Sequence, residues 1–150
     1  MVNEELIFVD LDLKDQEAVF NFLAQTIVEK GYATDATAVY DALKKREAEG
    51  TTGMMDGFAI PHAKSDAIQQ PAIIVIKLKS AIDWDSLDGK PTQNIIAMFI
   101  PTAEGGTTHL KVLSQVARML MQEDFKNQFA QTNSTNQLAQ LIASKLEGDN

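Results

Sequence analysis

The sequence predicts an α/β (α+β) fold in a single domain, and three observations predict it. Apolar residues at helical spacing alternate along the chain with short runs rich in Ile and Val. Capping residues and glycines separate the two kinds of segment. At 150 residues with 45% hydrophobic content, the chain is long enough for one compact core and too short for two, so residues 1–150 are read as one domain.

The elements follow in order. A strand is expected around Leu6 to Val9. From Asp15 to Lys30, Val19, Phe20, Leu23 and Ile27 share one helical face and Gly31 follows as a stop, which makes an amphipathic helix on a sheet. Thr34 or Asp35 caps a second helix with Val39, Ala42 and Leu43 as its apolar stripe; Lys44, Lys45 and Arg46 fill its last turns and Gly50 ends it. Its carboxyl end is expected to point toward residues 56–66, Asp-Gly-Phe-Ala-Ile-Pro-His-Ala-Lys-Ser-Asp, a short apolar strand that runs into Pro61 and ends on His62. Pro61 fixes the backbone and biases Ile60 toward an extended conformation, so the strand is expected to deliver the imidazole to a sheet end rather than bury it mid-ladder. Ala72 to Leu78 and Asn94 to Ile100 read as two adjacent strands, with Asp88-Gly89 before Lys90-Pro91 as the turn signal between them. Gly105-Gly106 leads to Thr107-Thr108, expected caps of a third helix in which Leu110, Leu113, Val116, Ala117 and Leu120 recur at helical spacing and His109 falls in the first turn. Ser134 and Gln137 form a capping-box pair opening a final helix with Leu138, Leu141, Ile142 and Leu146 inward, and the tail Glu-Gly-Asp-Asn is expected to fray.

Composition excludes several function classes. Without cysteine there is no disulfide framework, zinc ribbon or thiol nucleophile. The amino terminus lacks the basic start and apolar core of a secretory signal, and no apolar run approaches the roughly 18 residues of a membrane span, so the expectation is a soluble, cytoplasmic protein without membrane insertion. Thirteen Lys plus Arg stand against 21 Asp plus Glu, and the formal net charge of −8 opposes binding to nucleic acid or to an anionic membrane. A site for a phosphorylated group must be locally positive against that background.

His62 is the residue expected to carry the chemistry. Gly53 and Gly57 bracket its approach, and Lys64 adds a cation that would attract an anionic substrate group, with phosphate the natural candidate. To accept a phosphoryl group, one ring nitrogen must offer a free lone pair while the other donates its proton to a fixed acceptor. The competing reading is a buried structural histidine. His109, at a helix amino terminus, is either a neutral hydrogen-bond donor to a phosphoryl oxygen or a plain exposed histidine. Arg46 is either an answer to the helix dipole, as Lys44 and Lys45 are, or a guanidinium that holds two phosphoryl oxygens in fixed geometry. The hydroxyls of Thr51 and Thr52 are candidates for phosphate or for turn bonds, and Lys64 for anion binding or plain solvation. Met54, Met55 and Phe58 belong to the core or to an adaptable docking patch, with Phe58 assigned to the core.

The string Gly-Phe-Ala-Ile-Pro-His-Ala-Lys, with Arg46-Glu47 ahead of it and Thr108-His109-Leu110-Lys111-Val112-Leu113 behind, resembles the fructose/mannitol-type enzyme IIA domain of the bacterial phosphoenolpyruvate-dependent sugar phosphotransferase system. The resemblance covers nearly the whole chain. It implies a mixed five-stranded sheet flanked by helices. It also implies that His62 takes a phosphoryl group from the carrier HPr and passes it to an enzyme IIB, which phosphorylates sugar as a membrane enzyme IIC imports it, while His109 and Arg46 support the phosphohistidine. No cofactor or metal enters that reaction. The Asp85-Ser86-Leu87-Asp88-Gly89-Lys90-Pro91 stretch is more similar to fructose-type members than to mannitol-type ones, and Thr107-Thr108 stands where the family often carries an acidic or amide residue. Two partners docking in turn call for a shallow surface around His62 rather than a deep substrate cavity.

Two alternatives are kept. A regulatory enzyme IIA of the nitrogen type has the same Pro-His motif and signals its phosphorylation state by binding target proteins. A metal-binding module would use His62, His109 and a carboxylate such as Asp56 or Asp66, although no close-spaced ligand pair supports it. A nucleotide-dependent kinase is set aside, because the chain has neither a Walker-type phosphate loop nor the protein-kinase signatures.

Overall fold

Two continuous apolar runs form the centre of the fold. The computed structural model describes residues 2–104 and 107–148. In it, β4 (Ala72–Ile82) and β5 (Thr92–Pro101) pair antiparallel, Ala72 opposite Phe99 and Ile76 opposite Ile95. Residues 72–76 and 95–100 are buried without a break, the pattern of strands covered on both faces. β1 (Ile7–Leu11) lies parallel to β4 on one side, after a short 3₁₀ turn over Glu4–Leu6. On the other side β5 carries two short parallel strands, β2 (Phe58–Ala59) and β3 (His62–Ser65). The sheet is therefore mixed and five-stranded, in the order β1-β4-β5 with β2 and β3 along the far edge of β5.

Successive strand residues supply opposite faces of this sheet. On one face α1 (Gln16–Glu29) and α2 (Ala36–Ala48) bring Phe20, Leu23, Ile27, Val39 and Leu43 onto Ile74, Ile76, Ile95 and Phe99. On the other α3 (Thr107–Leu120), α4 (Glu123–Gln131) and α5 (Thr135–Gly148) bring Val116, Met119, Phe125, Phe129, Leu138 and Ile142 onto Ile73, Val75, Ile96 and Met98. Asp15 caps α1 and, of the two residues proposed for α2, Asp35 does so, its carboxylate accepting from Ala38 N at 3.2 Å. Ser134 Oγ accepts from Gln137 N at 3.3 Å as a capping box requires. Among the described residues no helix is long and apolar enough to cross a membrane.

The structure corrects the sequence reading in three places. Residues 56–66 form two strands, not one: Pro61 has no N–H to give the ladder, so pairing lapses between β2 and β3. His62 thus opens a strand instead of ending one, and pairs with Met98 midway along β5 at only 7% exposure. Helix α4 was not foreseen; no capping side chain opens it, and its apolar signal is the pair Phe125 and Phe129, which packs on Phe58. Leu110, read as part of the apolar stripe of α3, is 60% exposed. Gly105, Gly106, the caps expected of Thr107 and Thr108, and the end of the tail at Asp149 and Asn150 lie outside the described residues.

Candidate functional site

The carboxyl end of α2, the start of β3 and the first turn of α3 meet at the sheet edge. There the His62 ring makes two hydrogen bonds that fix its tautomer. Nδ1 lies 3.0 Å from the Ile60 carbonyl, and Arg46 Nε lies 3.0 Å from Nε2. A carbonyl only accepts and a guanidinium only donates, so the proton is on Nδ1 and the lone pair on Nε2. Arg46 is itself anchored, its Nη1 donating to the Gly50 carbonyl at 2.7 Å. The His109 ring stands 5.6 Å from that of His62, centroid to centroid, and its buried Nδ1 has no hydrogen-bond partner among the described residues.

These side chains line a cavity of about 370 Å³ with Ala42, Lys45, Glu49 and Lys64. Three cations face one carboxylate there, so the cavity is locally positive in a chain of net charge −8. Burial, then the Arg46 and His109 charges, hold the His62 pKa below the ordinary histidine value, against the opposing Ile60 bond and Glu47 charge. Burial, and then the Lys64 ammonium, lower His109 as well. Two neutral imidazoles side by side follow near pH 7, one with its lone pair toward the cation that guards it.

Of the residues singled out in the sequence, Arg46, His62, Lys64 and His109 come together. Thr51 and Thr52 do not line this cavity: Thr51 Oγ1 donates to the Asp85 carbonyl and Thr52 Oγ1 to Glu47 Oε1, the latter at 2.5 Å. Asp56, weighed as a metal ligand, is bridged by Lys126 at 2.6 Å and Lys90 at 3.4 Å. Phe58 is core, Met54 is half-buried and Met55 is exposed. Sequence reasoning missed Lys45 and Glu49 as lining residues, although Ala42, Lys45, Arg46 and Glu49 recur at i, i+3, i+4, i+7 on α2 and its cap and so share one face. It also missed what Glu47 does, since a bond to a residue five positions on leaves no periodic trace.

An imidazole on an edge strand, its Nε2 lone pair meeting a guanidinium beside a cationic cavity, is suited to chemistry on an anionic group. Residues 1–145 match the family "Phosphoenolpyruvate-dependent sugar phosphotransferase system, EIIA 2". The chain is 35% identical over 143 residues to the PTS system fructose-specific EIIA component of Haloferax volcanii, covering 95% of this chain and 92% of that one. It is 30% identical to the fructose-specific EIIABC component of Bacillus subtilis, where 95% of this chain spans 22% of the longer protein. The crystal structure of nitrogen regulatory protein IIA-Ntr from Neisseria meningitidis superposes with a TM-score of 0.85 at 25% identity, over 93% of this chain and 94% of that one. The chain belongs to the EIIA 2 family of the sugar phosphotransferase system, and so to the phosphoryl-transferring components of that system.

Proposed function

We propose that residues 1–150 act as a cytoplasmic phosphocarrier domain, in which His62 Nε2 accepts a phosphoryl group from phospho-HPr and passes it to an enzyme IIB for uptake of a fructose-like sugar through an enzyme IIC. The observation that carries this reading is the Nδ1–H bond to Ile60, which leaves the Nε2 lone pair facing Arg46 and the cationic cavity. The fructose-specific names of the two relatives support the sugar class, and the EIIABC name of one supports a IIB and IIC partner.

In the proposed step the Nε2 lone pair attacks phosphorus, the phosphorus–nitrogen bond of the donor histidine breaks, and its electron pair returns to the donor ring. The proton stays on Nδ1 throughout, hydrogen-bonded to the Ile60 carbonyl. Arg46 must release Nε2 first; its Nη1 anchor on Gly50 keeps the guanidinium beside the new phosphohistidine, where it meets two phosphoryl oxygens. His109, neutral and with Nδ1 unpartnered among the described residues, donates to a third. Transfer of this kind asks for positioning and charge stabilisation, and this reading requires no metal.

The test is incubation with phosphoenolpyruvate, enzyme I and HPr, followed by intact mass and acid lability, on wild type and His62→Ala. One acid-labile phosphate that vanishes in the variant is expected. No phosphate on the wild type, with HPr shown to be charged, overturns the proposal. The TM-score of 0.85 with a nitrogen regulatory protein favours one other reading, a regulatory IIA with the same phosphohistidine. Failure of the charged protein to pass its phosphate to any IIB would select it.

A further inference from the structure

We propose that Glu47 is a positioning residue for His62, its carboxylate clamping Thr52 and thereby setting both hydrogen bonds of the imidazole; the proposal rests on His62 being the phosphoryl carrier. Glu47 Oε2 accepts from Thr52 N at 2.9 Å and Oε1 from Thr52 Oγ1 at 2.5 Å. Both carboxylate oxygens are thus spent on one residue, itself buried at 3% exposure. Charge-assisted bonds of this kind are the strong ones.

Two routes run from the clamp to the ring. Thr52 O accepts from Ile60 N at 2.9 Å, and Ile60 O accepts from His62 Nδ1 at 3.0 Å. In the other direction the clamp closes residues 47–52 into a loop containing Gly50, whose carbonyl holds Arg46 Nη1 at 2.7 Å while Arg46 Nε reaches His62 Nε2 at 3.0 Å. The circuit from Glu47 therefore closes on both imidazole nitrogens without Glu47 touching either. A carboxylate in the last turn of a helix faces the negative end of the helix dipole, a place that favours cations. Simple capping does not account for an acid there; holding Thr52 does. Glu47 also opposes, by its charge, the lowering of His62 by burial and Arg46.

The experiment uses the full chain, ¹⁵N-labelled, as wild type, Glu47→Ala, Thr52→Val and Thr52→Ser. The first reading is the ring-nitrogen shifts of His62 at about pH 8, above the ordinary histidine range, where the neutral tautomer is seen directly. The second is the single-turnover rate of phosphorylation by charged HPr. In the wild type, Nδ1 carries the proton. In Glu47→Ala and Thr52→Val the ring moves toward mixed tautomers and phosphorylation slows about tenfold or more, the range for outer partners that orient a reactive imidazole. Thr52→Ser, which keeps the hydroxyl, restores both. Folded variants with wild-type ring signals overturn the proposal whatever their rates, because the clamp would then act on something other than the imidazole. Failure of the carrier reading looks different: the wild type takes no phosphate, while the tautomers remain readable.

Discussion

Arg46 Nε lies 3.0 Å from His62 Nε2, so the cation that would hold a phosphoryl group in the proposed mechanism occupies the lone pair that would attack. On that proposal one side chain guards the nucleophile and then serves its product. Replacing Arg46 by Ala removes the guard and the stabiliser together, and the second loss dominates: phosphoryl transfer is expected to fall roughly 100-fold, as for loss of a preorganised donor at a reacting oxygen. Arg46→Lys keeps the charge but not the fork, and falls between that variant and wild type. Because the Arg46 charge lowers the His62 pKa, both the sign and the cause are open to NMR titration: Arg46→Ala moves His62 upward.

The depressed imidazoles set a pH dependence. His62 and His109 both lie below the ordinary 6.5, chiefly through burial. The neutral form of His62 therefore persists to lower pH than in an ordinary histidine, and the rate of phosphate uptake is expected to decline at correspondingly lower pH. Stability follows the same sign. Above 6.5 neither folded nor unfolded chain is protonated at these rings; below it the unfolded chain takes protons first, so stability falls as pH drops toward the folded pKa values. Thermal unfolding from about pH 8 to pH 5 is expected to show this slope, reduced in His62→Asn.

His109 stands beside His62 with a buried Nδ1 that no described group satisfies. A phosphoryl oxygen would complete it. His109→Ala is expected to accept phosphate but hold and pass it on poorly, with transfer to IIB slowed by roughly 100-fold, the scale of a lost oxyanion donor. Equal donation rates in the variant and wild type would remove His109 from the mechanism.

How much of this was legible in the sequence depends on the range of the interactions. The helices α1, α2 and α5 announce themselves through local capping and a 3.6-residue stripe, and the paired strands β4 and β5 through apolar runs. Pro61 and His62 marked the site, but the ladder partner that buries His62, Met98, lies 36 residues on and leaves no local signal. Helix α4 was missed because its stabilisation is tertiary: Phe125 and Phe129 meet Phe58 across the core. The tautomer of His62 was illegible for the same reason, since Arg46 reaches it from another element.

Gly53 is a close-approach glycine. A Cβ there would overlap the Asp85 carbonyl oxygen and lie 2.9 Å from Ser86 Cα, both backbone atoms that cannot turn aside. Gly53→Ala is expected to push the 85–86 backbone away from the loop that carries Thr52, at a cost of about 1–3 kcal/mol, the usual range for overpacking. Urea unfolding followed through Trp84, the single tryptophan and a neighbour of Asp85, reads that loss directly. An unchanged midpoint would mean that the two backbones separate freely.

Lys77 is a lysine in the middle of β4 whose ammonium ends the helix opposite. Its Nζ donates to Phe129 O at 2.7 Å, Thr132 O at 2.9 Å and Asn133 Oδ1 at 3.1 Å, and sits 5.0 Å over the Phe129 ring. It adds a donor to the Phe129 carbonyl, which also accepts from Thr132 N, and donates to the Thr132 carbonyl just past α4, and burial pushes its pKa down. Lys77→Met keeps the stem and removes the ammonium, taking from the Thr132 and Phe129 carbonyls the donor it gave them, at a cost of about 1–3 kcal/mol. Thermal unfolding should show the lowered stability, and hydrogen exchange should show protection lost first in α4. The His62 ring signals should stay in place, because the circuit that holds them runs through α2 and β3 and not through this helix. A variant as stable as wild type would show instead that the apolar stem, and not the ammonium, is what Lys77 contributes.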